Sequence, residues 1–167
     1  MTDSIGIAFH VTSVNSDILK HSSQLSSIDV LNDLVIGDAE LKFGESRIAM
    51  TNCGLLGLAI TLRWLCTFPI QYGMPAFDIA HDDPIQFSTR YVAPELLLTV
   101  SEIGSGGAKE RHLDPIEFLQ SIGTEYRKAL IALFQLCPEA RQNTKLLALI
   151  PDAITLLETR QSWIQAE

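Results

Sequence analysis

The sequence predicts an α+β fold: a mainly antiparallel sheet packed against helices, with a long amphipathic helix late in the chain and a further helical segment after it. Three observations carry this reading. Apolar residues alternate with a period of two in several stretches before residue 104. One capped run with apolar spacings of three and four follows them. The elements come in the order β, ββα, ββ, αα, which places strands together and helices against them. The 167 residues are read as one domain, 1–167, long enough to bury roughly 70% of the surface that the unfolded chain exposes.

Ile5, Ile7, Phe9 and Val11 alternate with Gly6, Ala8, His10 and Thr12, the pattern of a half-buried strand. The Ser-rich stretch 12–28 reads as a loop with room for a short helical turn. Leu41 and Phe43, a Gly44-Glu45-Ser46 turn, then Ile48 and Met50 predict a hairpin. The run 53–68 reads as a core helix that is apolar on nearly every side and stops at Pro69. With Arg63, Gly54 and Gly57 inside it, the run falls short of the ~20 apolar residues that span a bilayer. A loop with Pro69, Gly73 and Pro75 leads to strands at 85–91 and 96–103, reversed at Ala93-Pro94. The consecutive Leu96, Leu97 and Leu98 predict a central strand covered on both faces.

Asp114-Pro115-Ile116-Glu117 gives the clearest local signal: an N-cap, a proline at the first helical position and a carboxylate at the third. Leu119, Ile122, Tyr126, Ala129, Leu133 and Leu136 then mark an amphipathic helix that ends at Pro138. The stretch 144–164 is helical in pattern, with Pro151 breaking or kinking it.

The chain is acidic, with 20 Asp and Glu against 12 Lys and Arg, and the excess lies in the first half. Such a surface disfavours nucleic acid and attracts a basic partner. Cys53, Cys66 and Cys137 have neither disulfide-framework nor zinc spacing and read as buried small hydrophobes in a reducing compartment. With no basic n-region and no apolar leader, the chain is expected in the cytoplasm, away from membranes. Gly104-Ser105-Gly106-Gly107 lacks the Lys-Ser/Thr ending of a phosphate-binding loop and reads as a loop before the capped helix.

His81-Asp82-Asp83 is the most chemically suggestive cluster, since a His beside carboxylates can act as a general base or bind a metal. Its members are adjacent in sequence and precede Pro84, the composition of a solvated turn. No cofactor, metal site or catalytic residue is therefore expected. The acids Asp29, Asp33, Asp38, Glu40 and Glu45 flank or occupy the first hairpin. Together with Asp78, Asp82 and Asp83 they are the candidate contacts for a cationic partner. The aromatic residues are expected at core positions.

Two blocks carry a resemblance. One is Gly37-Asp38-Ala39-Glu40-Leu41-Lys42-Phe43-Gly44 with the apolar helix 55–68. The other is Phe77-Asp78 to Pro84-Ile85-Gln86-Phe87, with the strand pair to Ile103 and the long helix. In element order and hydrophobic pattern, residues 36–135 resemble the small bacterial immunity proteins that accompany polymorphic and contact-dependent growth-inhibition toxins. The resemblance implies a cytosolic, non-enzymatic protein that neutralises the C-terminal domain of a cognate toxin, a basic domain such as a nuclease. A non-enzymatic adaptor or subunit of a larger complex, self-associating or not, is the alternative reading. A small metal-dependent hydrolase using His81 with Asp82 or Asp83 is the third.

Overall fold

The structure, a computed structural model, describes residues 1–21, 24, 26–79, 85–102 and 107–153. It is an α+β fold of two antiparallel sheets packed against helices. The first sheet has the order β1-β2-β3, with β1 at Ile5–Val14, β2 at Val35–Phe43 and β3 at Ser46–Gly54. Its inner face buries Phe9, Ala39, Leu41, Phe43, Ile48 and Met50, while His10, Asp38, Lys42, Arg47 and Ala49 face solvent. This is the alternation expected from the sequence. Gly44 has φ 58° in the two-residue β2–β3 turn, a conformation that a side chain would strain. At Gly37 a Cβ would sit 2.1 Å from the His10 carbonyl oxygen, so only glycine lets β1 and β2 come together there.

The stretch between β1 and β2 holds more structure than a loop. It forms α1 (Asp17–Lys20) and α2 (Ser27–Asp33). Helix α2 starts with a reciprocal cap: the Asp29 N–H donates to Ser26 Oγ at 3.2 Å, and the Ser26 N–H donates to Asp29 Oδ2 at 3.3 Å. A Ser-rich stretch hides that box, because every serine in it is an equally good cap.

Helix α3 (Leu55–Tyr72) is the apolar run, and it passes through Pro69 instead of stopping there. Proline lacks the N–H that would bond the carbonyl four residues back, at Leu65. The Thr89 hydroxyl, from the neighbouring sheet, donates to that Leu65 oxygen at 2.5 Å. A side chain 24 residues away thus satisfies the group that the proline leaves open, and the helix continues to Gly73, which closes it at φ 64°.

The second sheet has the order β4-β5-β6-β7: Ala76–Ile79, Ile85–Val92, Glu95–Glu102 and Ala108–Leu113. Central β6 buries Leu96, Leu97 and Leu98, as the triplet predicts. Strands β4 and β7 were not expected. In β7 both faces are polar except at Leu113, so its pairing with β6 makes it a strand, and no alternation advertises it. The sheets meet where the Asp3 N–H donates to the His112 carbonyl at 2.6 Å and Arg111 Nε donates to Ser46 Oγ at 2.9 Å.

Helix α4 (Pro115–Leu136) begins as predicted, with Asp114 Oδ1 accepting from the Ile116 and Glu117 N–H groups at 2.8 and 3.2 Å. It buries Phe118, Leu119, Ile122, Tyr126, Ala129 and Leu133, with the Phe118 ring edge-on to Phe43 at 5.7 Å. Leu136 is exposed, beyond the reach of the core. Helix α5 (Thr144–Leu149) ends at an extended Ile150 before Pro151, as the proline requires, and the Tyr126 hydroxyl donates to the Pro151 carbonyl. The helix expected beyond Pro151 lies outside the described residues after Ala153. No helix among the described residues is long and apolar enough to cross a membrane.

Candidate partner-binding surfaces

The predicted acids do not gather on one face. Asp29 is tied into the α2 cap. Glu40, on the outer face of β2, accepts from Arg47 at 2.7 Å, and this hydrogen bond holds its carboxyl below the usual value. Asp38 accepts the Asn52 N–H at 3.0 Å, where β3 carries an extra residue and Asn52 takes φ 53°. Asp33, at the end of α2, and Glu45, in the hairpin turn, are exposed with no ion pair among the described residues. They lie at opposite ends of the nine-residue β2, which places them roughly 27 Å apart at about 3.4 Å per residue. Asp78 is half-buried in β4, while Asp82, Asp83 and His81 lie outside the described residues. With Lys42 and Arg47 beside Asp38 and Glu40, the outer face of the first sheet is mixed in charge.

An aromatic row, absent from the sequence expectations, stands on α3. Trp64, Phe68 and Tyr72 are spaced by four, and their rings follow one another at 5.2 and 4.9 Å. Trp64 is 39% exposed and Tyr72 65%, and beyond the Gly73 turn Met74 (57%) and Phe77 (59%) are exposed as well. At 3.6 residues per turn, Gly57, Trp64 and Phe68 fall within roughly 40° of one another around the helix. Gly57 meets α2, since a Cβ there would lie 2.3 Å from Asn32 Oδ1. Helix α2, with Asp29 and Asp33, therefore covers the first turn of the same face that the aromatic row occupies further on. Asp78 follows Phe77 at the other end.

Among the described residues no group of three His, Cys, Asp or Glu side chains is placed to hold a metal ion. Cys66 and Cys137 are buried, and Cys53 is half-buried. Burial pushes the Cys66 thiol well above its ordinary value, and the thiol donates to the Pro115 carbonyl at 3.6 Å. His112 Nδ1 lies 2.7 Å from Glu95 Oε2 on the outer face of the second sheet, and the Met1 ammonium lies 3.8 Å from the other oxygen of the same carboxylate. No known protein family matches the chain, and neither a curated protein nor a solved structure matches it.

Proposed function

We propose that the chain is a non-catalytic binding protein of the immunity type, which neutralises a basic toxin domain by covering its working surface. The exposed aromatic row of α3 carries this reading. Large aromatic and Met side chains on a surface are the residues that supply most of the affinity in protein interfaces. Three rings packed against one another in sequence have little rotamer freedom left to lose on docking. The net charge of -8 supports a cationic partner, with Asp29, Asp33 and Asp78 near the row and Asp38, Glu40 and Glu45 along the hairpin steering its approach. The resemblance to immunity proteins supports a toxin as that partner, acting in the cytoplasm.

The test is co-expression with the C-terminal domain of whatever protein is encoded immediately upstream of this gene. Growth arrest by that domain, relieved by this chain and not by its Trp64→Ala/Tyr72→Ala form, is the expected result. Failure of the wild-type chain to relieve arrest or to co-purify would remove the immunity reading. Capture of a partner that is salt-insensitive and causes no arrest would favour an adaptor instead.

A further inference from the structure

The fold closes two of its strand edges and leaves a third open inside a cleft. In an antiparallel ladder, successive residues point their N–H and C=O groups alternately towards one neighbour and the other. On β1 this places the Phe9 N–H away from β2, and there it donates to Glu125 Oε2 of α4 at 2.9 Å. On β7 the outward N–H and C=O of His112 are both taken by Asp3. Bound or buried edge groups prevent a stray strand from adding to the sheet.

Strand β3 is the outer strand of its sheet. The Phe43↔Ser46 pair closes the hairpin, and Leu41↔Ile48 and Ala39↔Met50 continue its bonded pairs. The N–H and C=O groups of Arg47 and Ala49 therefore point away from β2, and no described residue bonds them. They point into a cleft of about 610 Å³ lined by Glu45, Ser46, Arg47, Ile48 and Ala49 on one side. Ser46 to Ala49 are four consecutive residues of β3, and they can line one space only through the strand's edge, because alternate side chains leave on opposite faces. The facing wall comes from the second sheet, with Ile85, Val100 and Lys109.

We infer that this cleft is a docking site for a single extended segment of a partner protein, which adds to β3 as a fourth strand. A single strand takes up only about 4.8 Å beside β3, and the wall of the second sheet stands on the side where the further strands of a second copy's sheet would have to lie. The bulge at Thr51-Asn52 ends regular pairing, which limits the docked strand to the length of Ser46–Met50. Ile85 and Val100 select apolar side chains on the side facing the wall. Lys109, with no ion pair among the described residues, selects a carboxylate beside them. This surface is separate from the aromatic row, and the inference does not depend on the partner being a toxin.

The experiment is selection of phage-displayed random nine-residue peptides on the full chain, followed by amide exchange with the synthetic winners. Enriched peptides should alternate apolar and polar residues and carry an acid. They should slow exchange at Arg47 and Ala49, which exchange fast in the free chain. Ala49→Pro removes an outward N–H without touching the β2 ladder, so it should keep the wild-type melt and weaken the peptides at least about tenfold. Lys109→Glu should shift selection away from acids. Should the proline form fail to fold, protection at Arg47 and Ala49 in the wild-type chain decides. Absence of enriched peptides, unchanged binding to a folded Ala49→Pro form, or protection confined to other amides would overturn the inference. So would a concentration-dependent dimer that protects the same two amides, which would assign the edge to a second copy.

Discussion

Glu125 is the sharpest test of how the core is held. The residue is 5% exposed, on the inner face of α4 among Ile122, Tyr126 and Ala129, where periodicity calls for an apolar side chain. Oε2 accepts the Phe9 N–H and Oε1 meets the Lys128 ammonium, which is itself mostly in water. Replacing Glu125 by Leu or Gln separates the contributions. Both remove the charge, and with it the cost of burying a carboxylate and a short-range pair worth a few tenths of a kcal/mol. Only Leu removes the acceptor, leaving a buried backbone N–H unsatisfied at about 1–3 kcal/mol. At roughly 2–4 °C per kcal/mol for a chain of this size, the Leu form should melt about 2–12 °C below the Gln form. Calorimetry gives the melting difference, and amide exchange should show the Phe9 N–H protected in the Gln form and open in the Leu form. A Leu form as stable as the Gln form, or a Phe9 amide still protected in it, would refute the role given to this bond.

On the surface, Trp64→Ala and Tyr72→Ala should each weaken partner binding by about 2 kcal/mol, roughly thirtyfold, in calorimetric titration. The Tyr72 form should keep its stability within about 0.5 kcal/mol, since that side chain is mostly exposed. Asp33→Lys and Glu45→Lys should slow association in stopped flow and flatten its salt dependence, with nearly additive effects on the logarithm of the rate. Their separation of roughly 27 Å exceeds the Debye length of about 8–10 Å. The Glu40 carboxyl, held low by Arg47, should titrate higher in Arg47→Ala when followed by NMR. The sign follows: the pair contributes above the unfolded carboxyl value and is lost as pH falls through the folded one. The stability gap between wild type and Arg47→Ala should therefore close on acidification below about pH 4.

Local signals were legible where a residue's own neighbours decide its structure. The first hairpin, the Asp114-Pro115 helix start and the triple-leucine strand all follow from spacing within a few residues. Non-local determinants were not. Pro69 reads as a helix stop until Thr89 supplies the missing donor for Leu65 from another element. Strand β7 reads as a polar loop until β6 pairs with it. The same limit applies to the candidate sites. Trp64, Phe68 and Tyr72 sit in a run so uniformly apolar that periodicity cannot tell its buried side from its exposed one, because that depends on where α2 and the second sheet stop covering it. The acids, conspicuous as a cluster in sequence, are spread over α2, β2 and the hairpin turn in space, and hydrogen bonds already engage Asp29, Asp38 and Glu40.

That contrast divides the labour between the two surface features. Charges spread this way give long-range attraction but little affinity, because an exposed carboxylate gains at most about 1 kcal/mol from a single cation and salt screens it. The three rings on α3 span only about 12 Å of helix and touch one another, so a partner that desolvates one must desolvate its neighbours. Their contributions cannot be independent: once Phe68 has lost Trp64 as a neighbour, removing Tyr72 should cost less than it does in the intact row. Binding energy from the acids should therefore add across sites and fade with salt, while that of the row should be non-additive and persist in salt. A partner whose affinity behaved the other way, collapsing at high salt and indifferent to Trp64 and Tyr72, would be held by the hairpin acids, and the aromatic row would need a different occupant.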